Sequence, residues 1–187
     1  MAATTSISIC NKALTYLSAE RITSLSQDSE NARRCNSLYD SIRDELLTCH
    51  TWKFATKFAS LAQLDETPTN GYTYAFAVPA DFLKERELVS RYDFSMSDRK
   101  LYTEDSSPKL EYIYRVTDES SFPPHFTEAF ARRIAADIAF GITENATMAD
   151  TAFRIAEKAL REAKQTDSQG STPREPFRSR ILIERKG

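Results

Sequence analysis

The sequence predicts a mixed α+β protein, mainly α: a four-helix bundle with an inserted small antiparallel β-sheet and an extended C-terminal tail. Three observations lead there. Apolar residues recur at three- and four-residue steps before residue 50 and again after residue 122, the spacing of one helix face. Between 52 and 116 the period changes to two, the signature of half-buried strands. Beyond 169 the periodicity stops, and Gly170, Pro173 and Pro176 forbid a continuous helix. The expected division is a bundle from 1–50 and 122–168, a β subdomain at 51–121 and an arm at 169–187.

In "SISICNKALTYLSA" the residues Ile7, Cys10, Leu14 and Leu17 form one face of a short helix, with Thr5 or Ser6 as its cap. After a polar loop, Asp28 or Ser29 can cap a second helix, and Glu30 suits the dipole of its first turn. Ala32, Cys35, Tyr39, Ile42, Leu46 and Cys49 then alternate steps of three and four, a bundle-type seam. "HTWKFATKFASLAQ" could continue that helix, but Trp52, Phe54 and Phe58 fall on one side at period two and Lys53 and Lys57 on the other. We read it as the exit into the β subdomain, its aromatics anchoring the sheet against the bundle. "YTYAFAVP", "FLKERELVS", "RKLYTE" and "KLEYIYRV" supply further strands rich in aromatic and β-branched residues. Helical spacing returns after Pro124, which suits a first turn. Phe126, Phe130, Ile134, Ile138 and Ile142 recur every four residues with alanines beside them. Asn145 can cap a last helix edged by Met148, Ala152, Ala156, Ala159 and Ala163, with Phe153 and Leu160 alongside.

Composition excludes several classes. A net charge of −2 supplies no global basic field for nucleic acid. No apolar run approaches the roughly 20 residues that span a bilayer, so no membrane partner is expected. "MAATTSISIC" lacks a basic region followed by a long apolar one, so no signal peptide is expected. With four glycines and no GxGxxG or GxxxxGK[ST], there is no phosphate loop. Cys10, Cys35 and Cys49 are odd in number and lie on helical apolar spacings, which reads as small buried hydrophobes in a reducing compartment.

Candidate chemistry is sparse. His50 and His125 each fall at an element boundary, outside any HExxH or triad motif, and the partners that would make Cys49 and His50 a metal site are missing. Asp40, Asp44 and Glu45, with Arg33, Arg43 and Lys12 to pair with, read as a solvated salt-bridged face. Lys53 and Lys57 could touch phosphate, though lysines on the wet face of a strand are the plainer reading. No catalytic residue, cofactor or metal ligand is assigned, and an enzyme is not expected.

The tail is different. Residues 171–187 carry five basic groups (Arg174, Arg178, Arg180, Arg185, Lys186) against two acidic ones, together with the apolar Phe177, Ile181, Leu182 and Ile183. Burying each apolar side chain contributes roughly 1.5–3 kcal/mol, whereas ordering each backbone residue costs roughly 1–2 kcal/mol. One tail is marginal alone; many on a ring gain avidity.

The helix pattern A..C...YD..RD.LL, running into "TWKFATKFASLA" and followed by "GYTYAFAVPADFLK" and "KLEYIYRVTDESSFPPHFTEAFARRIAADIA", resembles the head-to-tail adaptors of short-tailed phages, the tail tubular protein A family. The resemblance covers most of residues 7–140. It implies a structural virion protein of the tail or neck, made in the host cytoplasm. Such a protein forms a homo-oligomeric ring, commonly twelvefold, between the portal protein and the tail nozzle (tail tubular protein B type). Tail fibres attach outside, and genome DNA passes through the lumen without sequence readout. By position and composition the portal-binding arm would use Arg174, Phe177, Arg178, Arg180, Ile181, Leu182 and Ile183. Lys53, Lys57, Phe126 and Phe130 are the candidate subunit or nozzle contacts. The alternative is a nucleic-acid-binding phage accessory protein.

Overall fold

The computed structural model describes residues 4–169, which fold as a mixed α+β chain of four helices and two small antiparallel sheets. Helix α1 (Ser6–Tyr16) starts in a reciprocal capping box. The Thr5 hydroxyl accepts from the Ser8 backbone at 3.2 Å, and the Ser8 hydroxyl accepts from the Thr5 backbone at 2.9 Å. Buried Asn11 ties the following loop to the helix by donating to the Ile22 carbonyl (2.8 Å) and accepting from its amide (2.7 Å). Helix α2 (Glu30–Thr48) is capped by Ser29 and buries Ala32, Cys35, Tyr39, Ile42, Leu46 and Leu47. Its expected seam therefore stops at Leu47. Cys49, expected to be buried, is exposed, because it lies in the cap beyond the last helical turn.

Helix α3 (Pro124–Thr143) is the hub. It buries Phe126, Phe130, Ile134, Ile138 and four alanines, and α1, α2 and α4 all pack on it. The small residues permit those close approaches. At Glu144 the backbone turns left-handed (φ 49°), and the Asn145 side chain accepts from the amides of Thr147 and Met148 to start α4 (Ala146–Gln169). Helix α4 buries only Ala156, Ala163 and Asp167. Met148, read in sequence on the small-residue edge of this helix, and Phe153, read beside it, are 49% and 47% exposed, because α4 packs chiefly on α3.

The strands lie between α2 and α3. They form two sheets instead of the expected single one: β1 (Thr56–Ser60), β7 (Lys109–Tyr114) and β4 (Phe82–Leu88) in the order β1-β7-β4, and β2 (Ala62–Gln63), β3 (Tyr74–Ala77), β6 (Lys100–Thr103) and β5 (Phe94–Ser97) in the order β2-β3-β6-β5. The chain changes sheet at Leu61, whose amide bonds the Pro108 carbonyl just before β7 while Ala62 pairs with Ala77 of β3. The two sheets share a small core of Phe76, Leu88, Leu101, Leu110 and Tyr112. β7 joins this core to the helical one. Leu110 and Tyr112 face the strands, whereas Ile113 on the other face belongs to the helical core.

Trp52 is buried in the helical core, and its indole N–H donates to the Leu46 carbonyl at 2.6 Å. A 3-10 turn, Lys53–Ala55, follows before β1 begins. That turn breaks the period-two register. Phe54 packs with Trp52, Phe122 and Phe126, but Phe58, expected to anchor beside them, is 49% exposed. Phe126 and Phe130, expected as partner contacts, are fully buried in this chain's own core. Their four-residue spacing selects the face of α3 turned to α2 and the Trp52 segment, so they are not available at the surface.

Candidate functional site

Three chain segments far apart in sequence meet where the helical and β parts join. His50 follows the α2 cap, His125 is in the first turn of α3, and Asp167 is in the last turn of α4. The Asp167 side chain is 6% exposed; its Oδ2 lies 3.3 Å from His50 Nε2 and its Oδ1 3.9 Å from His125 Nε2. Neither imidazole Nε2 has an aligned hydrogen bond, although both are shut away from water. The Trp52 ring touches both, edge-on to His50 (centroids 4.8 Å) and tilted to His125 (6.2 Å). Burial pulls the His50 imidazole below its ordinary value, with Asp167 working against it.

A cleft of about 470 Å³ opens beside this cluster, lined by His50, Lys53, Phe58, Arg86, Glu111 and Asp167 among others. Glu111, on the central strand β7, is 4% exposed. One of its oxygens takes the Arg86 guanidinium and the other has no partner. The cluster can accept protons. Among the described residues, no three or more His, Cys, Asp or Glu side chains are placed to share a metal ion.

A second polar cluster lies on the other side of α3. The Glu128 carboxylate receives the Tyr16 hydroxyl (2.8 Å), Lys12 Nζ (2.6 Å) and Arg132 Nε (2.9 Å), and the Arg132 guanidinium stacks 3.5 Å above the Tyr16 ring. Burial would raise the Glu128 carboxyl, but the hydrogen bonds from Lys12, Arg132 and Tyr16 prevail and hold it at about 2. Burial and the Glu128 bond together push the Tyr16 hydroxyl up to about 12. Beside this cluster an apolar groove of about 200 Å³ runs between α1, α3 and α4, lined by Leu17, Ala135, Met148 and Ile155 among others.

The residues singled out in sequence scatter over this frame. Lys53 reaches the cleft. Lys57 is engaged within the chain, 3.0 Å from Asp81 and 3.6 Å above the Tyr114 ring. The expected pairing of Lys12 with the carboxylates of α2 is replaced by Lys12–Glu128, while Arg43 takes Asp40 and Asp44, and Arg133 takes Glu45. The arm residues Arg174, Phe177, Arg178, Arg180, Ile181, Leu182 and Ile183 lie outside the described residues.

Sequence reasoning missed Asp167. A signal was present: it continues the steps of seven and four from Ala156 and Ala163, which puts a carboxylate on the buried face of α4. Among the described residues, no helix is long and apolar enough to cross a membrane. No protein-family model matches this sequence, and comparison with curated proteins finds no match either.

Proposed function

We propose that this chain is a structural virion protein, a ring-forming head-to-tail adaptor that connects the portal to the tail nozzle and lines the DNA channel. The observation that carries this reading is the combined motif run over residues 7–140, from the helix ending "YDSIRDELL" to "ARRIAADIA". In this reading the four helices act as one bundle carrying the β part at its end, and residues 169–187 are the portal-binding arm.

The distribution of exposed apolar side chains supports it. Phe140, Met148, Phe153 and Ile155 lie along α3 and α4, whereas Phe58, Val89 and Tyr92 lie on the β part. A head-to-tail ring needs two different patches on each subunit, one to meet the other on the neighbour. The exposed apolar side chains fall on both the helical and the β part, so both parts offer apolar side chains that such contacts could use.

The test is to mix the full chain with the portal of its own phage and image the product by electron microscopy. A ring of copies stacked on the portal is the expected result, and a chain lacking residues 171–187 should lose most of its affinity. Failure of the full chain to bind the portal would overturn the reading. Tight duplex binding that weakens steeply with salt, without portal binding, would favour the nucleic-acid alternative.

A further inference from the structure

The adaptor reading makes no use of the cleft at the foot of α4. Phe58 of β1 and Glu111 of β7 are direct cross-strand partners, so their side chains stand on one face of the sheet. Arg86 of β4 reaches Glu111 from the other edge of that sheet. The 3-10 turn supplies Lys53, and the last turn of α4 supplies Asp167 and Ser168.

Glu111 is only half satisfied. Its side chain is 5% exposed, and Arg86 engages one of its oxygens. The other, Oε2, is shut away from water with no hydrogen-bond partner among the described residues. A buried charged acceptor left bare is destabilising, so this oxygen calls for a donor. Asp167, 6% exposed, adds a second carboxylate whose imidazole contacts leave His50 Nε2 and His125 Nε2 without an aligned hydrogen bond. Phe58 adds a half-exposed aromatic ring. Together these select a guanidinium. It carries five N–H donors in a flat fork that suits carboxylate oxygens, and its plane lies well against an aromatic ring. A neutral donor would leave the charge unmatched, and an ammonium has no flat face.

We infer that this cleft is a guanidinium-binding site and that its occupant is Arg174 of the same chain. The described part of the chain ends at the cleft: Ser168 lines it, and Arg174 is the first basic residue beyond. The six residues from Ser168 to Arg174 span up to about 20 Å when extended, which brings Arg174 within reach of its own cleft. So short a tether gives the side chain a high effective concentration there. Charge agrees as well. Residues 171–187 are net basic, and Glu175, next to Arg174, suits Lys53, the exposed cation of the cleft. The site does not depend on the adaptor reading. Under that reading the portal competes with the cleft for the root of the arm.

The test is nuclear magnetic resonance of the full chain, isotope-labelled at its arginine nitrogens. The Arg174 Nε–H signal is assigned by its loss in Arg174→Lys. Its exchange with water should be severalfold slower than that of Arg178, and it should show a through-space contact to the Phe58 ring. Glu111→Gln and Phe58→Ser should each raise its exchange to the Arg178 level. Because Glu111 is buried, Glu111→Gln counts only if its circular dichroism matches wild type; Phe58→Ser, at a half-exposed position, decides alone otherwise. Equal exchange at Arg174 and Arg178 in the wild-type chain would overturn the site. Slow exchange that survives the folded variants would do the same. Protection lost on dilution of the sample would place the arm of a second copy in the cleft and overturn the assignment to the same chain. Portal binding is not among the readouts, so failure of this site and failure of the adaptor reading are separate results.

Discussion

Two phenylalanines on α3 separate core from surface and can be tested as a pair. Phe126 is completely buried, with ring centroids 4.9 Å from Phe54, 5.0 Å from Phe122 and 5.1 Å from Trp52. Phe140, on the same helix, is 59% exposed. Truncating a buried phenylalanine to alanine costs about 3–5 kcal/mol, from lost burial and from the cavity left behind. The surrounding rings are held by several neighbours each, which limits collapse into the cavity. Each aromatic pair lost adds about 0.5–1.5 kcal/mol. Phe126→Ala therefore belongs at the upper end, about 5 kcal/mol, a large part of the stability of a domain this size. Phe140→Ala should stay within about 0.5 kcal/mol. The assay is urea unfolding of both variants followed by far-UV circular dichroism and by Trp52 fluorescence. The midpoint should move far for the first variant and hardly at all for the second, with the slope unchanged. A loss below about 1 kcal/mol for Phe126→Ala would refute the packing argument and return that residue to the list of possible partner contacts.

Two further predictions follow from the polar network and the helix end. Glu128→Gln should cost about 1 kcal/mol at neutral pH, a figure held down because the carboxylate is 36% exposed. The carboxyl is held at about 2, beneath its free value of 4.5, so its contribution is present above 4.5 and lost as the pH falls towards 2. The gap between wild type and variant in thermal melts should close over that range, and a gap that persists there would refute the assignment. At Gly141, an added Cβ would fall 2.0 Å from Arg34 Nη1, the far end of a flexible side chain. That head can swing away at the cost of part of its pairing with Glu30, worth about 0.3–0.5 kcal/mol, while alanine in a helix gains up to about 1 kcal/mol over glycine. Gly141→Ala should therefore raise the melting temperature slightly; a lowered one would show that the guanidinium position is fixed by the core.

The helices were legible in the sequence, because a helix needs only local information. The three-and-four spacing from Ala32 to Leu46 marked the buried face of α2. Pro124 and Asn145 marked the starts of α3 and α4, and Thr5 was one of two residues that could cap α1, whereas the reciprocal bond with Ser8 came only with the structure. The β part was legible as strands but not as sheets. Period two shows that a segment is extended; it does not say which neighbour it pairs with. The switch at Leu61 from β7 to β3 depends on hydrogen bonds between residues far apart in the chain. Phe58 was misplaced because the turn at Lys53–Ala55 shifts the alternation. That turn forms where the indole of Trp52 is drawn into the helical core and bonded to Leu46.

The candidate site shows the same division. His50 and His125 could be seen at element boundaries, and Lys53 on a wet face. The step of four from Ala163 puts Asp167 on the buried face of α4, but that both imidazoles close on it was not visible, since nothing local says which distant segments meet that face. The sequence by itself determined the order of the elements and their helical or extended character, and narrowed the helix caps to one or two residues each, because propensity, period and capping act within a few residues. Only the tertiary structure decided that Phe126 and Phe130 are core, that the strands divide into two sheets, and that Asp167 meets two histidines. Burial and charge proximity are properties of segments brought together from distant parts of the chain, and no local pattern encodes them.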